Sequence, residues 1–276
     1  MFKGGMLADL KYLFDHLNEF EKFKKDEKTA IITDIDGTIS KIVLNPDEAI
    51  ISQIMENTLR KLANKFQLVG VVTGRSVKNA KEMLNVEGLL YIGSHGLEYL
   101  KDDQSYIEPE LEKYLPIIKK IAQNVQNSES CDIKGILFEE KGTCFTIHYR
   151  KCKDQEGTRR KILEAINGLG ELENLKITEG RKIVEIRPKI GHNKGTILEK
   201  LVFENALEKI IYLGDDVTDV DAFNKLKELK KDGKVNGLGI VVVSEEVPEY
   251  VKENASFYVN GVDEVQKFFN WLLEEN

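Results

Sequence analysis

One stretch constrains the fold more than any other part of the chain: residues 29–38, with the sequence TAIITDIDGT. Its first five residues are apolar or β-branched, which is typical of a strand buried within a parallel sheet. Asp34 and Asp36 end this run, and Gly37 permits a sharp turn directly after them. Because ligands of open α/β sheets bind just beyond the carboxyl ends of strands, both carboxylates lie where chemistry is expected.

Strand and helix patterns alternate before and after a central section of the chain. Apolar strand patterns separated by helical spacing lie at 29–33, 66–72, 89–92, 209–213 and 238–243. This alternation predicts an α/β fold with a doubly wound parallel sheet, a Rossmann-like core. Apolar residues at helical spacing over 6–23 also predict an amphipathic helix ahead of the first strand.

The central section follows a different pattern. Two helical patterns accompany four strand patterns, near 133–138, 143–149, 174–179 and 182–187. Short turns between the strands predict an antiparallel sheet, so we expect an α+β cap inserted into the core. Polar residues near 102 and a proline at 188 mark its borders. The predicted domains are a core, 1–102 with 189–276, and a cap, 103–188.

Composition argues against several classes of partner. The 276 residues carry a formal charge of -7, which is a poor match for nucleic acid. No apolar run approaches the roughly 18 residues that a membrane span needs. Three cysteines without a CxxC pair are typical of a reducing compartment. We therefore expect a cytoplasmic protein that acts on a small molecule, without a nucleic-acid or membrane partner.

Polar residues stand at the ends of three predicted strands and at the start of one helix: Asp34 with Asp36, Thr73, Lys194, and Asp215 with Asp216. A carboxylate can attack phosphorus, and a second one can move the proton. A hydroxyl and a lysine can hold phosphate oxygens, and paired acids suit Mg²⁺. Each loop also has an ordinary structural explanation: a solvated turn, a helix cap by Ser76, a surface lysine, or acids that complement a helix dipole.

Taken together, the four loops resemble the haloacid-dehalogenase superfamily of phosphatases across nearly the whole chain. The resemblance implies that Asp34 is the nucleophile and that Asp36 is the general acid and base. It further implies that Thr73 and Lys194 hold the transferred phosphate. The ligands that it implies for a Mg²⁺ cofactor are Asp34, Asp36, Asp215 and Asp216. Whether Asp216 contacts the metal directly stays open.

The cap narrows the resemblance to the trehalose-6-phosphate phosphatases. The segments that carry it are FEEKG at 138–142, IHYR at 147–150 and GRKIVEIRP at 180–188, with GSHGLE at 93–98 in the core. The resemblance implies a hydrolase that releases phosphate from trehalose 6-phosphate through an aspartyl-phosphate, in trehalose biosynthesis. The substrate contacts that it implies are Arg75, His95, Lys141, Arg150, Arg181 and Glu185. The chain departs from many members at Arg181, where they have lysine, and at Val220, where they have glutamate.

The residue types in the cap agree with a sugar substrate. Arg181 and Glu185 are four positions apart in a predicted strand, so their side chains share one face. A cation and an acceptor on that face can hydrogen-bond to sugar hydroxyls, and such partners reject substrates that lack the hydroxyl. An ordinary surface ion pair, worth less than ~1 kcal/mol, explains the same two residues.

Other functions stay open at this point. The same core residues would serve a phosphatase for sucrose phosphate, mannosyl-3-phosphoglycerate or a monosaccharide phosphate. A phosphotransferase such as a mutase would also use Asp36, whereas a sensor that only binds sugar phosphate would not need the nucleophile Asp34. A functional link to a trehalose-phosphate synthase is expected, and the sequence does not indicate an oligomeric state.

Overall fold

The computed structural model describes residues 10–43, 45, 48–101, 104–140, 142–170, 172–180 and 182–275. Lys141 and Arg181, two of the expected substrate contacts, lie outside the described residues. Within the described ranges, every helix is too short or too polar to cross a membrane. Cys131, Cys144 and Cys152 are buried free thiols, as expected for small apolar side chains.

Strands and helices alternate along most of the chain. The strands are β1 (Lys11–Tyr12), β2 (Thr29–Thr33), β3 (Leu68–Val72), β4 (Leu90–Gly93), β5 (Glu98–Lys101), β6 (Gln104–Ile107), β7 (Leu137–Glu140), β8 (Phe145–His148), β9 (Leu175–Gly180), β10 (Ile183–Pro188), β11 (Lys209–Gly214), β12 (Asn236–Val243) and β13 (Phe257–Asn260). The α-helices are α1 (Glu21–Lys24), α2 (Gln53–Lys65), α3 (Val77–Met83), α4 (Leu115–Gln126), α5 (Gln155–Asn167), α6 (Lys194–Glu204), α7 (Asp219–Lys231), α8 (Glu249–Asn254) and α9 (Gly261–Leu273).

A nine-stranded sheet organises the first and last parts of the chain, in the order β1-β13-β12-β11-β2-β3-β4-β5-β6. In this order, every neighbouring pair between β1 at one edge and β4 is parallel. Beyond β4, β5 and β6 extend the sheet as an antiparallel hairpin. Side chains alternate across β2, so Ile31 packs into one apolar cluster and Ile32 into the other. The predicted α/β fold with a parallel sheet is confirmed.

A second, four-stranded sheet has the order β7-β8-β10-β9, and each of its pairs is antiparallel. Residues of α4 and α5, such as Ile121 and Ile162, pack with Phe145 and Val184 of this sheet into a separate apolar cluster. The insertion of an α+β cap agrees with this arrangement. The division of the chain at residues 102 and 188 stays a prediction, and β6 lies beyond the first of these borders but joins the larger sheet.

The predicted helix over 6–23 is wrong in its described part. There, β1 is followed by a 3₁₀ helix, Leu13–Glu19, and by the short α1. His16 leaves helical geometry, with φ -129° and ψ 27°, so the segment bends while Phe20 and Phe23 still reach the core. Apolar spacing alone does not distinguish one long helix from two short helical turns that bury the same side chains.

Candidate active site

The predicted loops meet at one edge of the nine-stranded sheet. β11, β2 and β3 pair in parallel, with Leu213 opposite Thr33, so their carboxyl ends lie side by side. This register brings Asp34, Thr73 and Asp215 together around a cleft of about 180 Å³. The predicted site residues that line the cleft are Asp34, Asp36, Thr73, Arg75, His95, Arg150, Glu185, Lys194, Asp215 and Asp216.

Lys194 lies beneath the cleft as the first residue of α6, and it is only 2% exposed. Asn193 and Thr196 form a capping box that sets where this helix begins. The Lys194 Nζ atom lies 3.2 Å from Asp34 Oδ1 and 2.6 Å from Asp219 Oδ1. A buried ammonium group at this position can stabilise negative charge that a phosphate brings into the cleft.

Asp219, the first residue of α7, is a fully buried acid that was not among the predicted site residues. Its Oδ1 accepts hydrogen bonds from Lys194 and from the hydroxyl of Tyr212. Its Oδ2 accepts from the backbone N–H groups of Asp215, at 2.9 Å, and Asp216, at 2.8 Å. Because both oxygens are engaged, Asp219 orders the lysine and the acidic loop. The spacing of three residues after Asp216 is the sequence signal for this role.

Burial dominates the electrostatics beneath the cleft. It raises the pKa of Asp34 to about 7, while the charge of Lys194 opposes the rise. The charges of Asp219 and Asp36 add to the rise. Burial alone would lower the pKa of Lys194, but Asp219 and Asp34 outweigh burial and raise it. Lys194 is therefore cationic, and a further positive charge near Asp34 would favour its ionised, nucleophilic form.

Asp215 meets Asp34 across a turn at Gly37. The hydroxyl of Thr38 donates to Asp215 Oδ1 at 3.0 Å. Gly37 has φ +86°, and a Cβ there would lie 1.9 Å from Asp215 Oδ2, so a side chain would separate the two loops. One oxygen each of Asp34, Asp215 and Asp219 lie within 4.8 Å of one another. With Asp219 engaged elsewhere, Asp34 and Asp215 are the carboxylates that fit a cation.

The carboxylates of Asp36 and Asp216 lie outside this group of three. Arg75 binds Asp36 through two parallel bonds, from Nε to Oδ2 and from Nη2 to Oδ1, each 2.7 Å long. Arg75 also donates to Asn79 Oδ1 at 2.6 Å. The guanidinium of Arg75, an expected substrate contact, is thus directed at Asp36, while Asp216 lines the cleft.

Thr73 is held rigidly where β3 ends. Its backbone N–H donates to the carbonyl of Ile92, and its own carbonyl accepts from the N–H of His95. The Thr73 hydroxyl accepts from the N–H of Arg75 at 3.1 Å. Because a hydroxyl both accepts and donates, its hydrogen can bond to a phosphate oxygen in the cleft.

His95 and Glu185 join the two sheets. His95 Nε2 lies 3.0 Å from Glu185 Oε1 on β10, and Glu185 Oε2 accepts from the hydroxyl of Thr146. His95 Nδ1 is buried and finds no hydrogen-bond partner among the residues that the structure describes. The backbone of His95 has φ +55°, an unusual conformation that turns the ring into the cleft.

Two further contacts connect the smaller sheet with the larger one. Arg150 donates from both terminal nitrogens to the carboxylate of Glu246, at 2.9 and 3.2 Å. The hydroxyl of Thr143 donates to Glu98 Oε1 at 3.2 Å. These contacts hold the cap strands over the carboxyl ends of the parallel strands, which encloses the cleft from above.

Sequence reasoning missed a pair of residues in the cleft wall. His148 Nε2 lies 2.8 Å from Glu139 Oε2, and both side chains line the cleft. Both residues stand within the cap segments FEEKG and IHYR that carry the family resemblance, and this is the sequence signal for their position. The expected contacts Lys141 and Arg181 are not among the described residues, and their roles stay predictions.

We expect His95→Gln to lose less stability than the wild-type protein when the pH falls from about 7.5 to about 5.5. Burial lowers the pKa of His95 from its usual 6.5; Glu185 opposes this, and Arg187 and Lys194 add to it. Below pH 6.5 the unfolded chain therefore takes up a proton that the folded chain excludes, so stability present above this pH is lost below it, by up to about 1.4 kcal/mol per pH unit. Urea unfolding of both proteins at about pH 5.5 and pH 7.5 measures the free energy of unfolding. An equal change with pH in the two proteins would contradict the lowered pKa of His95.

Comparisons with known proteins agree with this geometry. The trehalose-phosphatase family profile matches residues 32–263. An Arabidopsis thaliana protein named "Probable trehalose-phosphate phosphatase E" is 34% identical over 277 residues, covering 94% of this chain and 74% of that protein. Trehalose-phosphate phosphatase B of the same plant is 31% identical, covering 94% of this chain and 70% of that protein.

Solved structures show the same fold. The C-terminal domain of Candida albicans trehalose-6-phosphate phosphatase superposes with a TM-score of 0.78 at 20% identity, covering 96% of this chain and 99% of that one. A trehalose-6-phosphate phosphatase related protein has a TM-score of 0.72 at 24% identity, with 88% and 96% covered. The match of the family profile to most of the chain and the identity with the plant enzymes establish that this chain belongs to the trehalose-phosphatase family.

Proposed function

We propose that this chain is a Mg²⁺-dependent phosphatase that hydrolyses trehalose 6-phosphate to trehalose and inorganic phosphate. The observation that carries the proposal is the buried pair of Asp34 and Lys194, 3.2 Å apart, at the floor of a cleft that residues of the smaller sheet cover. Membership of the trehalose-phosphatase family supports the identity of the substrate. A cytoplasmic location and a functional link to a trehalose-phosphate synthase remain predictions.

In the first step, a carboxylate oxygen of Asp34 forms a bond to phosphorus as the bond from phosphorus to the sugar oxygen breaks. Asp36 gives its proton to that sugar oxygen, so trehalose leaves as a neutral alcohol. In the second step, a water oxygen attacks the same phosphorus and passes a proton to Asp36. The bond between phosphorus and Asp34 then breaks, which returns both carboxyl groups to their starting state and releases phosphate.

Lys194 and Thr73 hold the oxygens of the transferred group during both steps. The ammonium group of Lys194 is buried, so its attraction for a phosphate oxygen is weakly screened by water. The hydroxyl of Thr73 is fixed by its bond from the Arg75 N–H, so it donates without a further loss of side-chain freedom. Asp219 keeps the lysine in this position by accepting its hydrogen bond, and the hydroxyl of Tyr212 donates to the same oxygen of Asp219.

The residues present fit a Mg²⁺ ion, because this hard cation prefers a few carboxylate oxygens together with phosphate and water. Asp34 and Asp215 would hold the ion with the main-chain carbonyl of Asp36, and Asp216 would act nearby. When bound, Mg²⁺ supplies positive charge that offsets the repulsion between phosphate and the Asp34 carboxylate. The raised pKa of Asp34 is consistent with a site whose carboxylates need this additional positive charge.

Specificity would come from the cap. Arg150 and Glu185 of the cap line the cleft together with His95 of the core, and the sugar of a bound phosphate ester would lie against them. The pair Glu139 and His148 adds a carboxylate and an imidazole ring to the same wall. Polar groups of this kind reject ligands that lack the matching hydroxyls, because an unmatched buried group loses its hydrogen bonds. Lys141 and Arg181 stay proposed members of this set.

A substrate panel tests the proposal. We expect phosphate release from trehalose 6-phosphate to exceed release from glucose 6-phosphate and sucrose 6-phosphate, when all three are compared by kcat/KM with Mg²⁺ present. Excess chelator should abolish release, and added Mg²⁺ should restore it. Preference for a monosaccharide phosphate or for sucrose phosphate would move the substrate assignment to a related phosphatase. Undiminished turnover in chelator would contradict the metal site, and isomer formation without phosphate release would indicate a mutase.

A further inference from the structure

The guanidinium of Arg75 donates hydrogen bonds to both carboxylate oxygens of Asp36, the proposed general acid and base. Its Nε and Nη2 atoms each lie 2.7 Å from an oxygen of Asp36, a side-on bidentate arrangement that sets the plane of the carboxylate as well as its distance. Asp36 has a side chain that is 38% exposed, whereas the side chain of Arg75 is 7% exposed. A well-packed arginine therefore anchors a carboxylate that projects into the cleft.

Arg75 is itself fixed at three points. Its backbone N–H donates to the hydroxyl of Thr73 at 3.1 Å, and its carbonyl accepts from the N–H of Ser94 at 2.7 Å. Its Nη1 donates to Asn79 Oδ1 at 2.6 Å, on the first turn of α3. The carbonyl also lies 2.8 Å from where a Cβ would stand on Gly93, so β4 approaches closely only because that residue lacks a side chain.

We infer that Arg75 is a positioning residue that orients Asp36 toward the leaving oxygen of the substrate. The inference rests on the proposed function, in which Asp36 gives a proton to the sugar oxygen. Each Asp36 oxygen uses one lone pair for the arginine and keeps a second one for a proton or a water. Without this bidentate bond, which we call the fork, the partly exposed side chain of Asp36 would sample other rotamers. Proton transfer is sensitive to misplacement of the donor by about 1 Å.

The alternative is that Arg75 acts as a substrate contact, on the transferred phosphate that both kinds of ester share. The two roles differ in what they do to substrates with different leaving groups. A sugar alkoxide must be protonated as it leaves, so its departure needs a correctly placed Asp36. Nitrophenolate is a stable anion that leaves without a proton, so its departure needs only the nucleophile and the phosphate contacts.

The experiment compares kcat/KM for trehalose 6-phosphate and for p-nitrophenyl phosphate in four proteins: wild type, Arg75→Lys, Asn79→Ala and Lys78→Ala. This quantity covers the steps through transfer of phosphorus to Asp34, and so it excludes the later attack of water. Arg75→Lys keeps the charge but loses the fork. Asn79→Ala removes only the bond that holds the guanidinium, and Lys78 is an exposed neighbour on the same helix.

We expect Arg75→Lys to lower kcat/KM for trehalose 6-phosphate by about 10²-fold, with at most a small loss for p-nitrophenyl phosphate. Asn79→Ala should show the same bias with a smaller size, and Lys78→Ala should match wild type on both substrates. Equal losses on the two substrates, or no loss on either, would overturn the positioning role. If Arg75→Lys does not fold, Asn79→Ala decides by the same comparison.

Failure of the proposed function has a separate signature. It is measured on the wild-type protein, without the variants. Either the protein prefers a sugar phosphate other than trehalose 6-phosphate, or it releases no phosphate. If another sugar phosphate is preferred, the comparison is made with that ester and still decides the role of Arg75. If the wild type releases no phosphate from any ester, both the proposed function and the role of Arg75 are overturned.

Discussion

Asp34→Asn is expected to lower phosphate release by at least about 10⁴-fold, the order of loss seen when a covalent nucleophile is removed. An amide oxygen keeps the shape of the side chain but is a poor nucleophile toward phosphorus. The substitution leaves the bond between Lys194 and Asp219 in place, so the loss should appear in kcat, not in substrate affinity alone. Single-turnover phosphate release with excess enzyme measures the chemical step directly.

The fold of this variant should survive, since burial already penalises the charged form of Asp34 and raises its pKa to about 7. Its thermal unfolding midpoint should therefore stay close to that of the wild type. Asp221→Asn is a matched control, because Asp221 is an exposed aspartate on α7. Retained turnover in Asp34→Asn, with the control also active, would remove Asp34 from the role of nucleophile.

Lys194→Met is expected to lower both activity and stability. The lysine is 2% exposed and contacts two carboxylates, so its removal leaves negative charge buried without compensation. Breaking such a buried pair costs about 3–5 kcal/mol of folding free energy, and loss of a charge that stabilises the transition state costs about 10²–10³-fold in kcat. Urea unfolding and steady-state kinetics measure the two effects.

The pH dependence of this loss has a defined sign. Without Lys194, which lowers the pKa of Asp34, the carboxyl group should hold its proton to still higher pH in the folded state. A raised carboxyl pKa costs stability as pH rises above the unfolded value, so the variant should be further from wild type at about pH 8 than at about pH 5. Lys200→Met, an exposed position on α6, serves as the control. Equal stability of Lys194→Met and wild type would show that the buried charges contribute little.

Local patterns predicted most of the fold correctly. The β-branched runs ending at Thr33 and Val72, and the helix opening at Lys194, agree with the structure within one or two residues. The edge hairpin of β5 and β6 was missed because β6 is exposed along its length and carries no apolar alternation. The bend at His16 was missed because helical spacing reports which face is buried, not whether the backbone continues.

The sequence by itself determined the reaction class and the family. Asp34, Asp36, Thr73, Lys194 and Asp215 were predicted as site residues from their positions at strand and helix ends together with the family resemblance, since in a parallel sheet those ends share one edge. What only the tertiary structure decided was which side chains hold these groups in place. Arg75 and Asp36 are 39 positions apart, and Lys194 and Asp219 are 25 apart.

Such pairings depend on strand register and side-chain direction. A shift of one residue in a strand turns its side chains to the opposite face of the sheet, so no local pattern encodes the contact. The sequence could therefore predict that Asp34 and Asp36, at the end of β2, belong to a reactive site, because that prediction needs only the local pattern. The ion pair of Lys194 with Asp219, the two bonds from Arg75 to Asp36 and the bond from His95 to Glu185 exist only because distant segments meet in three dimensions.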